Sequence, residues 1–135
     1  MKQNKMRTFK QEKLWRDKMP ALLQKHGSHI HIKPLNDSEF NHELRIKLLE
    51  EAEEVKAART RENLVEELAD LYEVIDTLAD LHEITKAEII AAQEKKRNEK
   101  GGFAGRTFVT IAEHPADSLG EKYCLADPEK YPEIV

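Results

Sequence analysis

One cysteine, one tryptophan, five glycines and five prolines are all that 135 residues contain of these types. The lone thiol, Cys124, rules out a disulfide within the chain and fits a reducing compartment. No stretch approaches eighteen apolar residues, so nothing in the sequence reads as a membrane-spanning helix. Met1 to Lys13 is basic but lacks the apolar core of a secretory signal, and the expected location is the cytoplasm. Aromatic residues are 6% of the chain and do not form the alternating platform of a single-strand nucleic-acid binder. There is no internal repeat and no low-complexity tract.

Charge is what the sequence has in quantity. Charged residues are 36% and apolar ones 39%, a busy surface over a lean core. The net charge of −4 hides a partition. Residues 1–35 hold nine Lys/Arg against two acids, residues 36–94 hold six against seventeen, and residues 95–110 hold five against one. An acidic middle would repel a long polyanion, so a nucleic-acid partner is not expected. A short polyanion bridging a metal ion and basic side chains, such as a nucleoside polyphosphate, suits the pattern.

The spacing of apolar residues predicts an all-α fold. Asp17, Pro20 and Gly27 bracket a short first helix, with Asp17 as its cap. The run His29 to Leu35 alternates like an edge strand or extended arm, and His29 and His31 would point the same way. Asp37 or Ser38 is the expected cap of a second helix running to about Arg59, and Thr60 that of a third from Arg61 to about His82. Thr85 to Glu88 is a capping box for a fourth, which stops before Gly101-Gly102. Arg106 to Ala112 looks extended, and 113–135 reads as an irregular tail. The whole is expected to form one domain over 1–135, with its core at about 13–108. Two long helices with one apolar face each make a thin core. Pairing two hairpins into a four-helix bundle, in a homodimer or higher oligomer, would bury those faces.

The second and third helices carry acids three residues apart, Glu51 and Glu54, then Glu67 and Asp70, each pair on one helix face. Positions 51 and 70 have the same sum as positions 54 and 67, so a turn near Thr60 and Arg61 brings all four to one level of a hairpin. Glu51 also fills a slot in the apolar stripe Leu44, Leu48, Val55, Ala58. Carboxylates converging at a core repel unless protonated or bound to metal, and a hard cation such as Mg²⁺ is the natural occupant. Lys13, Arg16 and Lys18 before the hairpin, and Lys96, Arg97 and Lys100 after it, are candidate phosphate ligands, and equally ordinary surface cations. Trp15, Tyr72 and Phe103 are the aromatics available to stack on a base or to pack.

Four blocks together carry a resemblance: Lys13-Leu14-Trp15-Arg16-Asp17-Lys18-Met19-Pro20, Glu50-Glu51-Ala52-Glu53-Glu54-Val55, Asn63-Leu64-Val65-Glu66-Glu67-Leu68-Ala69-Asp70 and Lys100-Gly101-Gly102-Phe103. In order and spacing they resemble the all-α nucleoside triphosphate pyrophosphatase superfamily (MazG-like proteins), and most closely its phosphoribosyl-ATP pyrophosphohydrolase-like branch. The resemblance spans roughly Lys13 to Phe108. It implies hydrolysis of a nucleotide between its α and β phosphates with Mg²⁺ or Mn²⁺, and matches Glu51, Glu54, Glu67 and Asp70 to the family's metal-binding acids. A carboxylate not fully engaged by metal, Glu54 or Glu51, would then orient or deprotonate the attacking water. The Ser-Tyr-Thr type motif of the histidine-biosynthesis enzymes is not found here. A standard or non-standard nucleoside triphosphate, cleared by a house-cleaning enzyme, therefore stands beside phosphoribosyl-ATP as substrate. The competing expectation is a non-catalytic helical module that binds nucleotide or protein and uses the acidic hairpin only for assembly.

Overall fold

A computed structural model describes residues 5–135; the first four residues of the basic N-terminal segment lie outside it. Five helices follow in order: α1 (Met19–Gln24), α2 (Asp37–Ala57), α3 (Arg61–Leu81), α4 (Lys86–Lys100) and α5 (Leu119–Leu125). No strand is present among the described residues. Residues 29–35 and 106–112, expected to be extended, adopt no regular structure. The chain divides into two compact units, Met1–Lys95 and Lys96–Val135.

The first unit is built on the α2–α3 hairpin, the one pair of helices packed along its length among the described residues. Asn36, one residue before the expected cap, starts α2. Its side chain accepts from the Glu39 N–H at 2.8 Å while the Glu39 carboxylate accepts from the Asn36 N–H at 3.3 Å. This reciprocal box satisfies two otherwise orphaned donors, which neither Asp37 nor Ser38 could do from inside the helix. Ala58 turns extended and ends α2. Thr60 starts α3 as expected, accepting from the Asn63 N–H at 3.1 Å. The connection 58–60 thus centres on Arg59, slightly ahead of the expected point. At the far end the His82 ring and the Asn41 side chain hydrogen-bond across the hairpin at 2.7 Å. His82, the residue that ends α3, thus ties the two helices together.

Leu44, Val74 and Ala79 are the buried apolar residues, with Leu48, Val55, Leu71, Ile75 and Leu78 half-buried along the seam. The predicted stripe of α2 therefore faces inward. On α3 it faces inward only from Leu71 onward, since Leu64 and Leu68 are exposed. Thr85 and Glu88 form the expected box at the start of α4, and Gly101, at φ 82°, ends it as only glycine does without strain.

Two further expectations are corrected. Asp17 does not cap α1. Lys18 stands at that position without a side-chain bond, because the backbone turn from Arg16 C=O to Met19 N–H (3.0 Å) sets the start instead. The segment 113–135 is not wholly irregular either: Ser118 caps α5 by accepting from the Glu121 N–H at 3.3 Å, and the Tyr131 hydroxyl donates to that of Tyr123 at 3.2 Å.

A candidate metal centre in the hairpin

Residues 51 and 54 stand on successive turns of α2 because helical spacing puts i and i+3 on one face; the same holds for 67 and 70 on α3. With the hairpin closed by the short turn at Arg59, one carboxylate oxygen from each of Glu51, Glu54, Glu67 and Asp70 lies within 4.8 Å of all the others. This is the group expected from the sequence. Glu51 is only 7% exposed, and its Oε2 and the Oε2 of Glu67 are buried with no hydrogen-bond partner. Anionic oxygens stripped of water and left without donors are costly to fold around. The donor set is all oxygen, which suits a hard divalent cation and not a thiophilic one. These residues fit such an ion.

The electrostatics show the strain of the arrangement. Burial pushes the Glu51 carboxyl above its ordinary range, and the charges of Glu54 and Asp70 add to this against the opposing Lys47. Glu54 is also raised, first because it shares a hydrogen bond with Glu67 and then through partial burial and the Glu67 charge. Two carboxylates in such contact cannot both stay ionised cheaply.

Cations ring the group. Arg16 donates to Asp70 at 2.6 Å, so the Lys-Leu-Trp-Arg block lies against the hairpin's acids. Lys13 reaches Glu50 at 3.3 Å. Lys47 bonds Glu50 at 3.3 Å and lies 3.5 Å from Glu51. Burial alone would raise Glu50, but the hydrogen bonds from Lys13 and Lys47 outweigh it and hold the carboxyl below its ordinary value. Glu50 is thus the anchor of the cationic rim. Lys47 joins the cations predicted from sequence, Lys13 and Arg16, at these acids. Its signal was present, since it precedes Glu50 by three and Glu51 by four, the spacings at which helical side chains meet.

Of the remaining candidates, Lys18 is exposed and pairs with no acid among the described residues. Lys96, Arg97 and Lys100 occupy the last turns of α4 in the second unit, exposed and without an acidic partner among the described residues. His29 and His31 are exposed and outside the acidic group. Tyr72 is 63% and Phe103 100% exposed, while Trp15 is half-buried. Comparison with protein-family models, with curated proteins and with solved structures finds no match to this chain.

Proposed function

We propose that this chain is a metal-dependent nucleotide pyrophosphohydrolase that cleaves the α–β phosphoanhydride of a nucleoside triphosphate, standard or non-standard, or of a phosphoribosyl-ATP-like substrate. The observation that carries it is the four-carboxylate group with two buried, partnerless oxygens, edged by Lys13, Arg16 and Lys47. The motif resemblance to the all-α nucleoside triphosphate pyrophosphatases supports the same bond.

Glu51, Glu54, Glu67 and Asp70 would hold Mg²⁺ or Mn²⁺. Such an ion neutralises phosphate charge and acidifies water at the site. Glu54 is the residue best suited to orient water and take its proton. Its carboxyl is the outermost of the four, exposed where Glu51 is buried, and its raised pKa makes it a better proton acceptor. Water adds at one phosphorus of the α–β linkage and the bond from that phosphorus to the bridging oxygen breaks. Monophosphate and pyrophosphate then part. Arg16 and Lys13 exchange their carboxylate partners for phosphate oxygens and stabilise the leaving pyrophosphate. No side-chain nucleophile is needed.

The active form in this reading is a homodimer in the cytoplasm, its two hairpins forming a four-helix bundle. Ile46 and Leu49 share one face of α2, and Val65, Leu68 and Tyr72 one face of α3, all 39–69% exposed. A second copy of the hairpin would cover them.

Pyrophosphate release from a panel of standard, oxidised and deaminated nucleotides plus phosphoribosyl-ATP tests the proposal. The expected result is Mg²⁺-dependent release from at least one, abolished in Glu67→Gln with the far-UV circular dichroism unchanged. Full activity in that variant would remove the acids from the mechanism. Calorimetry showing no Mg²⁺ binding, with or without nucleotide, would favour the non-catalytic module.

A further inference from the structure

A hollow of about 270 Å³ opens between the segment 11–23 and α2. Trp15, Met19 and Leu23 form an apolar wall; Lys13, Arg16 and Lys47 form a cationic rim. The three rim cations are the same three that bond the acids, Lys13 to Glu50, Lys47 to Glu50 and Glu51, and Arg16 to Asp70. Arg16 and Lys47 therefore line the hollow and also contact the carboxylate group.

We propose that this hollow is the nucleoside subsite of the centre: the base lies against the Trp15 ring, and the phosphates pass over Arg16 and Lys47 to the carboxylates. The proposal rests on the pyrophosphohydrolase reading and adds where, and by which residues, the base is held. Shape supports it. The hollow is wide open to solvent, so it offers a flat ring one face to lie on and does not enclose a nucleotide. A polyanionic remainder must lie outside it, and the cationic rim sets the direction. The chemistry agrees, because a flat π-system joined to a polyanion matches an indole beside three cations. An uncharged aliphatic chain would satisfy the wall and offer the rim cations nothing in exchange for their carboxylate partners.

Trp15 is the chain's one tryptophan, so its fluorescence reports on this hollow alone. With Mg²⁺ present, nucleoside triphosphates are titrated against inorganic tripolyphosphate, following tryptophan emission and heat together. Nucleotides that bind are expected to quench or shift the emission, whereas tripolyphosphate binds with the emission nearly unmoved. Base–aromatic stacking predicts that Trp15→Ala weakens nucleotide binding about tenfold or more, and that Trp15→Phe restores most of it. Tripolyphosphate binding should stay within about twofold in both variants, which also shows that they are folded. The subsite is overturned if nucleotide binds by heat while wild-type emission stays unchanged, or if Trp15→Ala weakens nucleotide and tripolyphosphate equally. If neither polyphosphate binds while Mg²⁺ still does, the pyrophosphohydrolase reading itself fails and the subsite with it.

Discussion

Glu51 and Lys47 define the chemistry at the scale of single residues. The Lys47 ammonium, on a side chain 19% exposed, stands 3.5 Å from the Glu51 Oε1 and partly offsets a carboxylate whose other oxygen has no partner. Lys47→Met should destabilise the metal-free protein by about 2 kcal/mol, the order expected for leaving a buried polar group without its partner. Urea unfolding in chelator measures this; saturating Mg²⁺ should recover much of the loss by binding the folded state. Acid titration separates the acids by sign. Glu51 and Glu54 hold protons more tightly when folded than their ordinary 4.5, so their contribution is full below that value and is lost as pH rises through the raised pKa. Glu50 is lowered from 4.5, so its contribution is present above that value and is lost only as pH falls through the lowered pKa. In chelator, the melting temperature should therefore fall as pH rises above 4.5 through the raised pKa values of Glu51 and Glu54, and Mg²⁺ should flatten that slope. A melting temperature that climbs over the same window would contradict the assignment.

At the scale of helices, the caps decide where the acids stand. Asn36 and Thr60 each accept a backbone N–H, at 2.8 and 3.1 Å, and replacing either with Ala should cost about 1 kcal/mol. The two variants should differ in function. Asn36 begins α2 some four turns before Glu51, so Asn36→Ala should leave Mg²⁺ affinity unchanged. Thr60 begins α3 two turns before Glu67, so fraying there should loosen half of the carboxylate group and weaken Mg²⁺ binding severalfold. Calorimetry on both variants gives the contrast; equal affinities would show that the hairpin end is held by packing and not by its cap. The boundaries of α2 and α3 were legible to within two residues because cap and stripe agreed. Asp17 misled because a side chain able to cap does not cap when a backbone turn already ends the chain's approach. The segment 113–135 looks irregular in sequence because α5 is seven residues long, too short for any periodicity to accumulate.

For the whole molecule, the apolar surface left open is the argument for assembly. No side chain of the described residues is fully buried. Covering residues such as Leu49 and Val65, 69% and 54% exposed, would yield on the order of 1.5–3 kcal/mol for each side chain fully buried. The wild-type protein should sediment as a dimer or larger at micromolar concentration. The double variant Leu49→Lys, Val65→Lys should shift it towards monomer and lower its melting temperature. A monodisperse wild-type monomer would remove the four-helix bundle from the proposal.

The sequence by itself determined the four acids and their common level. Helical periodicity is local and fixes which residues share a face; a short turn then leaves little freedom in register. It also determined both long helices and the partition of charge. Only the tertiary structure decided that Arg16 meets Asp70 across fifty-four positions, that Lys47 rather than Lys18 completes the cationic rim, and that Trp15 walls a hollow beside the acids. Those contacts depend on how a segment without periodicity folds back over α2. No spacing rule encodes that path; it is set by the combined fit of Trp15, Met19 and Leu23 and by opposite charges that meet only once the hairpin has formed.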